Sequence, residues 1–103
     1  MATETLPCIV NTSASPKARF QSIPIDAVQW TEGYWAERCR QNAEVTLRKL
    51  WDLLADPDAG HVLDNLRIAA GLQDGEFIGT DWQDEWLYKW IEAAACIFKV
   101  TGE

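Results

Sequence analysis

The stretch DWQDEWLYKWIEAAA, residues 81–95, sets Trp82, Trp86 and Trp90 four residues apart and packs Asp81, Asp84 and Glu85 around the first two. Large apolar side chains repeating every four residues share one face of a helix, a period foreign to the two-residue alternation of a strand. The stretch therefore predicts a helix from Asp81 to Val100 with Thr80 as its N-cap. On a helical wheel Ala93 and Ile97 join the tryptophans, and Leu87, Ile91, Ala94 and Phe98 continue the apolar surface round the neighbouring side. Roughly half the circumference is apolar, wider than the stripe of an ordinary surface helix. Asp81, Asp84, Glu85, Tyr88 and Glu92 are left as the polar stripe. Such a helix expects neighbours on two sides.

Upstream, a long helix is predicted from Thr31 or Glu32 to Ala55. Trp35, Cys39, Ala43, Thr46, Leu47, Leu50, Trp51 and Leu54 recur at steps of three and four and mark one buried stripe. Glu44 precedes Arg48 by one turn, a favourable pair. Pro57 ends the helix, because the residue before a proline avoids helical dihedrals. A short helix follows from Val62 to Ala70, its apolar face built by Val62, Leu63, Leu66, Ala69 and Ala70 and its end supplied by Gly71. LQDGEFIGT, residues 72–80, reads as a loop with breaks at Asp74-Gly75 and Gly79. Before the long helix, Phe20, Ile23, Ile25, Val28 and Trp30 alternate only in part and are interrupted by Pro24, which suggests an extended edge segment. Residues 1–18, rich in Thr, Ser, Ala and Pro, form an irregular lead-in to a region spanning 19–103. The fold class is all-α with a short extended segment ahead of the helices.

At 103 residues the chain has room for one small domain, and 48% apolar residues with six tryptophans exclude a disordered one. Two long helices and one short one cannot cover that much aromatic surface, so the chain reads as a slice of a larger helical domain. A net charge of −7 excludes nucleic acid and anionic membrane as natural partners. The N-terminus lacks the basic region of a secretory signal, and no apolar run is long enough to span a bilayer, which points to a cytoplasmic protein. Cys8, Cys39 and Cys96 are odd in number and widely spaced, which suits a reducing compartment and thiols without a role. His61, the one histidine, sits in a turn beside Gly60 and reads as a solvated loop residue. No Ser/His/Asp or Cys/His set can be assembled from it, and no glycine spacing forms a phosphate cradle.

A row of tryptophans can stack on a sugar ring as rings stack on one another. Trp86 and Trp90 share their face with Ala93 and Ile97, which a sugar platform does not need, so core packing is the simpler account. Trp82 stands in the first turn, at the helix mouth, where either role is open. Asp81, Asp84 and Glu85 resemble the carboxylate sets of glycoside hydrolysis, but such carboxylates flank a bond from two sides and these lie within one turn. Acids at a helix start also offset the partial positive charge there, which accounts for them without a ligand. A hydroxyl contact by one of them is the minority reading.

GYWAERCRQNAEVTLRKLW (33–51), LDNLRIAAGLQDGEFIGTDWQDEWLYKWIEAAA (63–95) and the preceding IPIDAVQW (23–30) resemble the N-terminal part of the β-L-arabinofuranosidases of glycoside hydrolase family 127. The specific features are an NxRxAAG helix, a GEFxG loop and an acid-bearing YKWxEAAA helix, and the likeness runs from Phe20 to Glu103. The resemblance implies the N-terminal helices of an (α/α)6 barrel, followed by β-sandwich domains in a much longer chain. It implies release of L-arabinofuranose from non-reducing ends with retention, by a zinc-bound cysteine nucleophile and a glutamate general acid/base. Both lie downstream of the matched segment, so neither catalytic residues nor a zinc site are expected here, and the chain alone is expected to be inactive. Only Asp81, Trp82, Asp84 and Tyr88 carry over, as substrate-binding pocket lining. The implied partners are the remainder of the catalytic domain and a carbohydrate. The rival expectation is a stand-alone helical module that binds a partner protein, or itself, through the Trp82/Trp86/Trp90 face.

Overall fold

A computed structural model describes residues 10–103; Cys8 and the first half of the lead-in lie outside the described residues. The described residues contain four α-helices and no strand: α1 (Gly33–Gln41), α2 (Leu47–Ala55), α3 (Val62–Ala69) and α4 (Glu85–Thr101). The segment before α1 holds a single 3-10 turn, Ile25–Ala27, flanked by extended backbone at Pro24 and Val28. That turn lies against α4, where Lys99 Nζ reaches Asp26 at 3.0 Å.

α1 and α2 are the two halves of the predicted long helix, joined by a π-helical segment, Asn42–Thr46. Within it the Leu47 N–H donates to the Asn42 carbonyl five residues back, and the Asn42 N–H is shared between the carbonyls of Arg38 and Cys39. The extra residue in the turn rotates α2 relative to α1, so the apolar stripe read as one face is split between two directions. Arg40 then pairs with Glu37 and Glu44, and the expected pairing of Glu44 with Arg48 is not made. The helix ends as Pro57 requires, with Asp56 extended (φ −71°, ψ 118°).

α3 stops one residue earlier than predicted. Gly71, at φ +69°, allows the Leu72 N–H to reach the Arg67 carbonyl (2.8 Å) and the Gly71 N–H to reach that of Ile68 (3.0 Å), the paired bonds of a Schellman end.

α4 begins at Glu85, four residues later than its periodicity suggested. Residues 81–84 form a tighter lead-in, in which Gln83 N–H donates to Thr80 and Glu85 N–H to Trp82. Thr80 makes no side-chain cap. The Gln83 amide instead reaches back to accept the Thr80 N–H at 3.1 Å, one half of a capping box.

Packing is sparse. The buried apolar side chains among the described residues are Leu54 and Val62, at the contact of α2 with α3. Trp90 is half-buried against α2: its ring lies 4.8 Å from that of Trp51, and its Nε1–H donates to the Leu47 carbonyl at 2.9 Å. Core packing, expected for Trp86 and Trp90 alike, is therefore met inside the chain by Trp90. Trp86 remains 45% exposed and Trp82 59%. With a mass of 11.6 kDa the chain exposes 8629 Å², where a globular monomer of that size exposes about 5,800 Å².

Candidate functional site

The four residues marked by sequence sit where the loop enters α4. Asp81, Trp82 and Asp84 lie in the lead-in and Tyr88 in the first turn of α4, and all four are exposed. Of these the structure joins Asp84 and Tyr88, one helical turn apart. The Asp84 carboxylate, by hydrogen bonding and by its charge, holds the Tyr88 phenol above its ordinary pKa. On a Tyr34→Phe background, which leaves one tyrosine, Asp84→Asn is expected to return the phenolate absorbance transition of Tyr88 toward lower pH; an unmoved titration would dissolve the pair.

Two residues that sequence reasoning passed over hold this region in place. Asn65, on α3, is buried and pairs both ends of its amide with one residue of the loop: Nδ2 donates to the Ile78 carbonyl (2.7 Å) and Oδ1 accepts the Ile78 N–H (3.0 Å). Gln83 is buried too; besides accepting from Thr80 it donates from Nε2 to the Gly60 carbonyl, 23 residues earlier. Both signals were in the sequence. A lone amide among Val62, Leu66 and Ala69 calls for a partner, and Thr80-x-x-Gln83 has capping-box spacing.

A groove of about 870 Å³ lies elsewhere, between α4 and the helices α1 and α2. Trp30, Ala43, Leu47, Ala93, Ile97 and Val100 line it, with the free thiols of Cys39 and Cys96. None of Asp81, Trp82, Asp84 or Tyr88 borders it. Among the described residues no three His, Cys, Asp or Glu side chains are placed together as a metal site. No helix of the described residues is long and apolar enough to cross a membrane.

The family described as Beta-L-arabinofuranosidase, GH127 catalytic domain, matches residues 27–103, which takes in every helix and both amide clamps. The chain belongs to this family. It is similar to the non-reducing end beta-L-arabinofuranosidase of Bifidobacterium longum subsp. longum, 36% identical over 81 residues that take in 63% of this chain and 12% of that protein. The chain thus spans about an eighth of the length of the relative it matches and holds part of a GH127 catalytic domain. No solved structure matches it. The helices, the NxRxAAG segment on α3 and the YKWxEAAA segment on α4 are elements of that glycoside hydrolase domain.

Proposed function

We propose that the chain supplies the first helices of a glycoside hydrolase barrel that acts on non-reducing-end β-L-arabinofuranosides in a longer, cytoplasmic protein. In this reading the nucleophile, its zinc and the general acid come from the remainder of the domain, and the chain contributes one wall of the sugar pocket. Asp81 and Asp84 would accept hydrogen bonds from sugar hydroxyls, Trp82 would stack on the ring, and Tyr88 would be oriented by Asp84. The observation that supports this best is the family match over 27–103 on a chain whose described residues bury only Leu54 and Val62 as apolar core. Trp35, Trp86, Ile91 and Phe98 are left uncovered, a surface that a lone globular monomer does not carry. A stand-alone module on the tryptophan face is not favoured, because the family match runs through that face and Trp90 is engaged within the chain.

The expected behaviour of the 103-residue chain is strong fluorescence of anilinonaphthalene sulfonate on its uncovered apolar side chains and no turnover of an aryl β-L-arabinofuranoside. A sharp melt without dye binding would sink the reading. A stable dimer that abolishes dye binding would transfer support to the interaction module.

A further inference from the structure

The loop from Gly71 to Trp82 contains no buried side chain. A loop this exposed is held by its backbone, and here two amides do the holding. Asn65 grips the peptide groups on both sides of Ile78, and Gln83 grips Thr80 while anchoring itself to the turn at Gly60. Gly79 lies between the two grips, at φ +108°, and a Cβ there would fall 1.6 Å from Gln83 Oε1. The close approach therefore requires glycine. The next two residues, Asp81 and Trp82, have no side-chain hydrogen bond or ion pair of their own among the described residues, so their direction follows from the backbone at 78–80.

We infer that Asn65 and Gln83 are positioning residues that together latch residues 78–80 and so aim Asp81 and Trp82 at a carbohydrate. This rests on the sugar-pocket reading of the helix mouth given above. The latch ties three separate elements, α3, the α2–α3 turn and the start of α4, to one peptide segment. Neither amide touches the ligand. Their effect passes through the backbone, and loss of either grip frees the same two side chains. Both residues are buried, and each spends the oxygen and the nitrogen of its amide on backbone groups of the chain.

The test uses the full 103-residue chain labelled with 5-fluorotryptophan, which gives one fluorine resonance for each of its six tryptophans, with Trp82→Phe assigning that of Trp82. Asn65→Ala and Gln83→Ala are each expected to shift and broaden the Trp82 resonance while those of Trp51 and Trp90 stay put. Hydrogen-exchange protection should fall about tenfold at the Ile78 amide in the first variant and at the Thr80 amide in the second. Unchanged Trp82 resonances in both variants, with helical circular dichroism retained, would overturn the latch. Should Asn65→Ala lose its helices, Gln83→Ala decides alone, since Gln83 lies outside α3: a moved Trp82 resonance with the helices retained supports the latch and an unmoved one overturns it. Titration of the unmodified chain with methyl β-L-arabinofuranoside tests the underlying reading separately. A Trp82 response that both amide variants lose supports positioning, and no response overturns the sugar reading of the mouth while the latch is judged on the resonances alone.

Discussion

Gly60→Ala is expected to unseat the turn between α2 and α3 and to destabilise the chain by about 3 kcal/mol, the upper part of the range for overpacking. Gly60 is buried, and a Cβ built on it falls 2.2 Å from the Leu53 carbonyl oxygen and 2.9 Å from the Leu54 Cα. Both obstacles are backbone at the end of α2, so no side-chain rotamer can relieve them. The turn would have to move as a unit. Its N–H groups at Gly60 and His61 converge on the Asp56 carbonyl, and Asp58 N–H caps onto the Asp56 carboxylate at 2.8 Å. Displacement would also withdraw the Gly60 carbonyl from Gln83 and lift Val62, 1% exposed, away from Leu54. One methyl thus strikes the small apolar core and the latch together. Circular dichroism melting of the two chains in parallel checks this: equal transitions would mean that the turn does not press on α2 as described.

The reach of sequence reasoning here follows from which forces were local. Pro57 ends α2 and Gly71 ends α3 because each restricts or permits backbone dihedrals by its own covalent structure, and both ends fell within a residue of expectation. The amphipathic period found every helix. It did not find the π segment at Asn42–Thr46, because one added residue per turn changes hydrogen-bond partners without changing which residues are apolar. The start of α4 is displaced for a related reason: Asp81–Asp84 continue the tryptophan spacing, but their backbone closes tighter three-residue bonds, Gln83 N–H to Thr80 and Glu85 N–H to Trp82, in place of α-helical ones. Family membership was carried by motif residues whose work the structure now explains. The Asn of NxRxAAG clamps the loop at Ile78, and the last glycine of GEFxG makes room for Gln83. What periodicity could not resolve was which tryptophan meets a partner, since Trp86 and Trp90 are alike in spacing and differ only in what lies opposite.

Trp90→Ala is accordingly expected to separate α4 from α2, at a loss of about 3 kcal/mol, whereas Trp82→Ala should change stability by no more than about 0.5 kcal/mol. Trp90 brings three contributions to the α2–α4 contact: apolar area, the tilted pairing with Trp51 at 4.8 Å, and the Nε1–H bond to Leu47 at 2.9 Å. A truncated tryptophan in a full core loses about 3–5 kcal/mol, and the partial exposure of Trp90 places it at the low end. A ring pair adds about 0.5–1.5 kcal/mol beyond area, so a double-mutant cycle of Trp51→Ala with Trp90→Ala should return a coupling of that size. Trp82, 59% exposed and without a ring partner among the described residues, has little to lose on truncation. The contrast separates the two roles that one four-residue spacing presented as equal. If Trp82→Ala proved as damaging as Trp90→Ala, Trp82 would be a core residue and its place in a sugar pocket would fall. If both were neutral, α4 would not be held by α2 at all. A large loss at Trp90 with none at Trp82 leaves one tryptophan binding the helices together and another free, at the mouth, for a ligand.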